Sequence, residues 1–171
     1  MSLLDKNIFC NPYQSVTMEV KEPKPMNKQV ELCLEIALRA HAGQSDLDGN
    51  PVILHPLTVG LAGKTPEEQC AGFLHDVVED TDYTFGDLLR LGVASDIVDA
   101  LRLLTHDKAD AYPDYVRRIA ESGNQLAIAV KLNDLHHNLE RGRRNGYQRL
   151  VAKHEAALAI FDSMKNSSCD K

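Results

Sequence analysis

The chain of 171 residues has no tryptophan and only 5% aromatic residues, so its core has to be assembled almost entirely from aliphatic side chains. Its four cysteines, Cys10, Cys33, Cys70 and Cys169, show no C-x-x-C spacing, which excludes a zinc knuckle or a disulfide framework and points to a reducing cytoplasm. No apolar run approaches membrane-spanning length, and the N-terminus lacks a basic start followed by a long apolar stretch, so neither a membrane partner nor secretion is expected. Basic excess is missing too. With 19 Lys and Arg against 25 Asp and Glu, a net charge of −6 and a pI near 5.6, general nucleic-acid binding is not expected, because a phosphate backbone rewards a basic surface. There is no alternating pattern long enough to argue a sheet, and nothing repeats at a fixed period, so a solenoid is excluded as well.

What is present is a helical pattern at 43% hydrophobic residues and a mean hydropathy of −0.30, enough for one all-α domain with its own core. Residues 1–25, with Pro12, Pro23 and Pro25, read as a loosely ordered arm, residues 26–166 as a helical bundle and residues 167–171 as a tail. Val30, Leu34, Ala37 and Leu38 mark a first helix ending near Gly43, and a loop follows with its turn at Gly49-Asn50-Pro51. His55 stands at the next helix start, where Pro56 opens the helix. Thr65-Pro66-Glu67-Glu68 combines an N-cap, a first-turn proline and the Glu of a capping box. Thr84 and Ser95 repeat the capping logic, Pro113 starts a helix through Ala120, and Gly123-Asn124 separates it from one running from Gln125 to Glu140. Leu150, Val151, Ala157, Ile160 and Phe161 belong to a closing helix.

The most informative segment is Leu74-His75-Asp76-Val77-Val78-Glu79-Asp80. On a helix turning about 100° per residue, His75, Asp76, Glu79 and Asp80 share an arc of roughly 140° opposite Phe73, Leu74, Val77 and Val78. An adjacent His and Asp can reach one cation from a helix end, while Glu79 and Asp80 can handle the proton of an activated water; the other reading is an acidic, solvated helix end. A second stretch sets Ile128, Leu132, Leu135 and Leu139 in one stripe and Lys131, Asp134 and Asn138 in another beside it. Asp134 is either a buried ligand or the partner of Lys131 in a surface ion pair, and His136 and His137 read as ordinary, partly buried histidines.

The order His55-Pro56, His75-Asp76-x-x-Glu79-Asp80 and Lys131-x-x-Asp134-x-x-x-Asn138 resembles the HD-domain metal phosphohydrolases, and more narrowly the alarmone hydrolases that remove the 3′-pyrophosphate of guanosine tetraphosphate (ppGpp). The likeness begins at Ala40-His41-Ala42-Gly43-Gln44, continues through Ile53-Leu54-His55-Pro56-Leu57-Thr58-Val59, and covers about 100 residues in several ordered pieces. It implies an HD-domain bundle with His55, His75, Asp76 and Asp134 as metal ligands, Glu79 and Asp80 near the attacking water, and Asn138 on the substrate. The cofactor it implies is a divalent metal, Mn²⁺ before Fe²⁺ or Zn²⁺, and a site of two imidazoles and two carboxylates suits all three. The expected partner is a small phosphorylated nucleotide, drawn in by the metal and by Lys131, Arg141, Arg143 and Arg144; a homo-oligomer is compatible with the sequence. Arg141-Gly142-Arg143-Arg144 reads either as a solvated helix end or as a phosphate clamp.

Two departures stand out. Where the alarmone hydrolases carry x-Arg-Lys-Ser-Gly-Glu-Pro-Tyr, this chain has Ser45-Asp46-Leu47-Asp48-Gly49-Asn50-Pro51-Val52, so Asp46 and Val52 replace an Arg and a Tyr that help hold guanine. Asp46 is expected to repel the substrate and make guanosine tetraphosphate a poor one, with Asp46→Arg plus Val52→Tyr restoring binding. The family's Arg two residues after the Asn138 equivalent is Glu140 here, and a shift of about 100° counts against Arg141 replacing it. An HD hydrolase of another phosphorylated metabolite, or a non-catalytic nucleotide or metal sensor, remains as the alternative.

Overall fold

The computed structural model describes residues 27–169, with side chains as far as Met164, so the N-terminal arm lies outside the described residues. Among them are nine helices and one isolated bridge between Ser45 and Pro51: α1 (Lys28–Ala40), α2 (Leu54–Leu61), α3 (Pro66–Leu74), α4 (Val77–Asp80), α5 (Phe85–Arg90), α6 (Ser95–Leu104), α7 (Tyr112–Glu121), α8 (Gln125–Asn145) and α9 (Gln148–Cys169). The all-α expectation holds, and α9 continues past the expected boundary at residue 166.

Helix starts follow local cap chemistry. Asn27, Thr65, Thr84 and Asn124 each accept a backbone N–H of the first turn, and Thr84 with Asp87 forms a reciprocal capping box. Some expected boundaries move. Glu68 accepts from the Lys64 amide, so the box at Thr65 is not reciprocal; Ala94 takes the N-cap position before Ser95; α2 begins at Leu54, ahead of Pro56; and α8 runs on past Glu140 to Gly146, whose φ of 74° ends it in the left-handed region open to glycine.

The larger correction lies in the 73–80 segment, which is not one continuous helix. Helix α3 stops at Leu74 and α4 begins at Val77. The His75 Nδ1 donates to the Gly72 carbonyl at 2.8 Å, the group that would accept the Asp76 amide in a regular α-helix, so the side chain competes with the helix at this point. The turn this produces matters for chemistry. Neighbours on an unbroken helix diverge by about 100°, and the break lets His75 and Asp76 face one point.

Helix α3 is the central element, packed against α1, α2, α6 and α8, and Cys70, Ala71, Phe73 and Leu74 on it are buried. Fully burying a side chain such as Leu74 is worth about 1.5–3 kcal/mol. The α2–α3 crossing is close enough to demand glycine on both sides: a Cβ on Gly72 would come 2.6 Å from the Gly60 Cα, and one on Gly60 would come 2.2 Å from the Phe73 ring. This contact draws the start of α2, with His55, toward the end of α3, with His75.

Candidate metal centre and its two cavities

Three separated stretches meet here: the first turn of α2, the α3–α4 junction and the middle of α8. The His55 Nε2 lies 3.2 Å from the His75 Nε2, 3.2 Å from the Asp134 Oδ1 and 3.5 Å from the Asp76 Oδ2. The His75 Nε2 lies 3.1 Å from the Asp76 Oδ1 and 3.8 Å from the Asp134 Oδ1. Ligand atoms of His55, His75 and Asp76 all fall within 4.8 Å of one another, and Asp134 closes the group from α8.

The outer nitrogens are committed elsewhere. The His75 Nδ1 must donate, because its partner is a carbonyl, and this leaves the neutral ring's Nε2 with a lone pair facing inward. The His55 Nδ1 is 2.7 Å from the Nδ1 of His137, whose ring stacks on that of His55 with centroids 4.9 Å apart. With His55 as donor, two bare imidazole nitrogens and two carboxylates converge, and this donor set fits a divalent cation held by oriented ligands. His137 is thus a site residue that sequence reading passed over as ordinary; its position three residues after Asp134 was the available signal.

Electrostatics support the same arrangement. Burial disfavours the His75 imidazolium, yet the Asp76 charge and hydrogen bond, with Asp134 and Gly72 behind them, push its pKa up to about 9. Burial works against the Asp76 carboxylate, but His75 outweighs it and holds the carboxyl below its ordinary range. Asp134 is held well below that range in spite of burial, chiefly by Lys131. Its Oδ2 accepts from the Lys131 Nζ at 2.8 Å and its Oδ1 from the Asn138 Nδ2 at 2.5 Å. The two readings of Asp134 therefore merge: it pairs with Lys131, but at 5% and 7% exposure the pair is buried, and the other oxygen faces the histidines.

Two cavities flank this group, and among the described residues His55 is the one that lines both. The larger, of about 760 Å³, has Leu54, Leu57 and Leu61 on one side and Asp46, Arg141 and Arg144 on the other. The smaller, of about 240 Å³, is lined by His75, Asp76, Glu79, Lys131, Asp134 and Asn138, together with side chains from α7 and α9. Glu79 is positioned by the His106 amide, which donates to its Oε2 at 2.9 Å. Asp80 lines neither cavity and is exposed; burial first, then the Asp76 charge, raise its pKa.

The loop departures take a different meaning in place. The Asp46 Oδ1 accepts the amides of Asp48 and Asn50 at 2.9 Å, and its Oδ2 lies 3.5 Å from the Arg141 guanidinium. Asp46 is thus held on its own turn and on Arg141, a guanidinium it shares with Asp48, while it lines the larger cavity. Val52 lines neither cavity. Arg141 does reach the larger cavity, where its Nε also donates to Asp48 at 3.1 Å; Asp48 accepts further from Asn145 and Tyr147. Arg143 turns away to Glu155.

No family model matches the chain. It is similar over 78% of its length, at 33% identity, to a GTP pyrophosphokinase of Streptomyces coelicolor, and over 68%, at 31% identity, to the bifunctional (p)ppGpp synthase/hydrolase SpoT of Escherichia coli. A guanosine-3′,5′-bis(diphosphate) 3′-pyrophosphohydrolase of Spiroplasma citri is 30% identical over 75% of the chain. The chain spans only 17–19% of the length of these relatives. Among solved structures, a metazoan ortholog of SpoT described as hydrolysing ppGpp shares the fold, with a TM-score of 0.60 at 23% identity, covering 85% of this chain and 98% of that one.

Proposed function

We infer that this chain, which belongs to the HD-domain RelA/SpoT-like hydrolases, removes pyrophosphate from the 3′ position of guanosine 3′,5′-bis(diphosphate). The observation that carries the reading is the meeting of His55, His75, Asp76 and Asp134 at one point between a cavity of nucleoside size and a smaller polar one. These four residues would hold a divalent cation, Mn²⁺ first, which supplies Lewis-acid polarisation of a phosphoryl oxygen and acidifies water. Metal identity rests on the family likeness alone.

The rest is done by the chain's own groups. Glu79, fixed by the His106 amide and facing the small cavity, is placed to take a proton from the attacking water. The water oxygen bonds to the phosphorus attached to the 3′ oxygen, and that P–O bond breaks. The proton removed from water balances the one required by the departing 3′ oxygen, so the products are guanosine 5′-diphosphate and pyrophosphate. Asn138 keeps the Asp134 carboxylate aimed at the histidines while itself lining the small cavity. The exposed apolar side chains of Leu54 and Leu61, with Leu57, would pack against the nucleoside.

The test is a hydrolysis screen of the Mn²⁺-loaded protein against guanosine tetraphosphate, guanosine 5′-diphosphate and the 5′-mononucleotides, reading released pyrophosphate and phosphate separately. Guanosine tetraphosphate is expected to be turned over fastest, with one pyrophosphate per guanosine 5′-diphosphate formed. Preference for a mononucleotide, or release of single phosphates only, would refute the assignment.

A further inference from the structure

We propose that the smaller cavity is a pyrophosphate-binding site gripped by Lys153 and His154 of α9, so that the enzyme selects substrates carrying two linked phosphates on the side that is cut. The proposal rests on the hydrolase reading above and adds residues that neither the motifs nor the metal cluster include. Both residues line the cavity together with Asp76 and Glu79.

Lys131, the other lysine there, is already committed, with its ammonium on Asp134. Lys153 has no ion pair among the described residues. Its Nζ sits 3.8 Å from the centroid of the Tyr112 ring, which aims the ammonium without neutralising it. His154 is 7% exposed, and its Nδ1 is buried with no hydrogen-bond partner. Buried polar atoms are nearly always paired, and His154, whose ring also lines this polar cavity, carries one that is not. A lysine acting as a point charge beside an imidazole is a combination suited to phosphate oxygens.

Size agrees. At about 240 Å³ the cavity falls below the roughly 300–1,000 Å³ of pockets that take drug-sized molecules, so it suits a compact inorganic group. Burial and then the Lys131 charge push the Lys153 pKa down, and a multiply charged anion would relieve the second of these and offset the first. The cavity runs from the cluster of His55, His75, Asp76 and Asp134 to α9, so two linked phosphates can meet both of its walls.

The experiment is calorimetric titration of the protein carrying one equivalent of Mn²⁺ with inorganic pyrophosphate and, separately, orthophosphate, with Mn²⁺ alone as the blank. The wild type is expected to bind pyrophosphate at least tenfold more tightly than orthophosphate. Lys153→Met should abolish that preference with Mn²⁺ content unchanged, Lys153→Arg should retain it, and His154→Phe should weaken it if the variant melts like the wild type. Equal pyrophosphate affinity in wild type and Lys153→Met, or no pyrophosphate binding by the wild type, would overturn the proposal. Lys153-dependent pyrophosphate binding without hydrolysis of guanosine tetraphosphate would leave this site standing and remove the assigned reaction instead.

Discussion

Under the proposed function, a proton and a divalent cation would compete for the same nitrogen at His75. Without the cation, its pKa is pushed from 6.5 up to about 9 by the surrounding carboxylates. A folded value above the unfolded one means that the stabilisation is fully present below about pH 6.5 and is lost as pH rises through about 9. The urea midpoint of chelator-treated protein is therefore expected to fall between those limits, and to fall less in His75→Asn. Added Mn²⁺ should bind more tightly as pH rises over the same window, because it displaces that proton. A midpoint that rises or stays level would show that His75 is not protonated in this way. That His55, His75, Asp76 and Asp134 belong together could be read only through the resemblance to the HD-domain hydrolases, since each alone has an ordinary structural reading. His137 could not be read that way, because its role comes from stacking on a ring 82 positions away.

At the scale of elements, helix starts could be read wherever the cap is a short polar side chain bonding within three residues, as at Thr84 and Asn124. The break at His75-Asp76 could not, since it depends on a side chain capturing the Gly72 carbonyl once the tertiary fold has placed it. The Gly60–Gly72 crossing escaped for the same reason: a glycine inside a helix is usually only a weak point. At an exposed helix site Gly→Ala gains up to about 1 kcal/mol. Gly72→Ala is expected to do the reverse here, costing about 1–3 kcal/mol through overpacking against α2. It should also weaken Mn²⁺ binding, because displacing α2 moves His55. Urea denaturation and metal titration check both, and a variant as stable as wild type with unaltered Mn²⁺ affinity would show that the crossing does not set the ligand geometry.

Across the whole molecule, the larger cavity depends on a join between segments more than 90 positions apart. Asp48 gathers Arg141, Asn145 and Tyr147, and so ties the turn after α1 to the end of α8. The sequence showed Asp46 as a departure from a familiar pattern and nothing of what Asp46 and Asp48 hold, since ion pairs at such separation leave no local periodicity. Asp48→Ala is expected to speed amide hydrogen exchange at Asp48, Gly49 and Asn50 while leaving the core amides of α3 as slow as before. Unchanged exchange in the loop would mean that the Asp46 turn holds it alone.

Among the described residues, the two cavities have only His55 in common. Substitutions in the turn after α1, along α2 beyond His55 or at the end of α8 can accumulate without touching the walls of the smaller cavity. Under the proposed function, a lineage built on this plan would be free to change its nucleoside contacts while the residues around the cleaved group stay as they are. The constraint on descent falls on a single imidazole, which has to satisfy both sides at once.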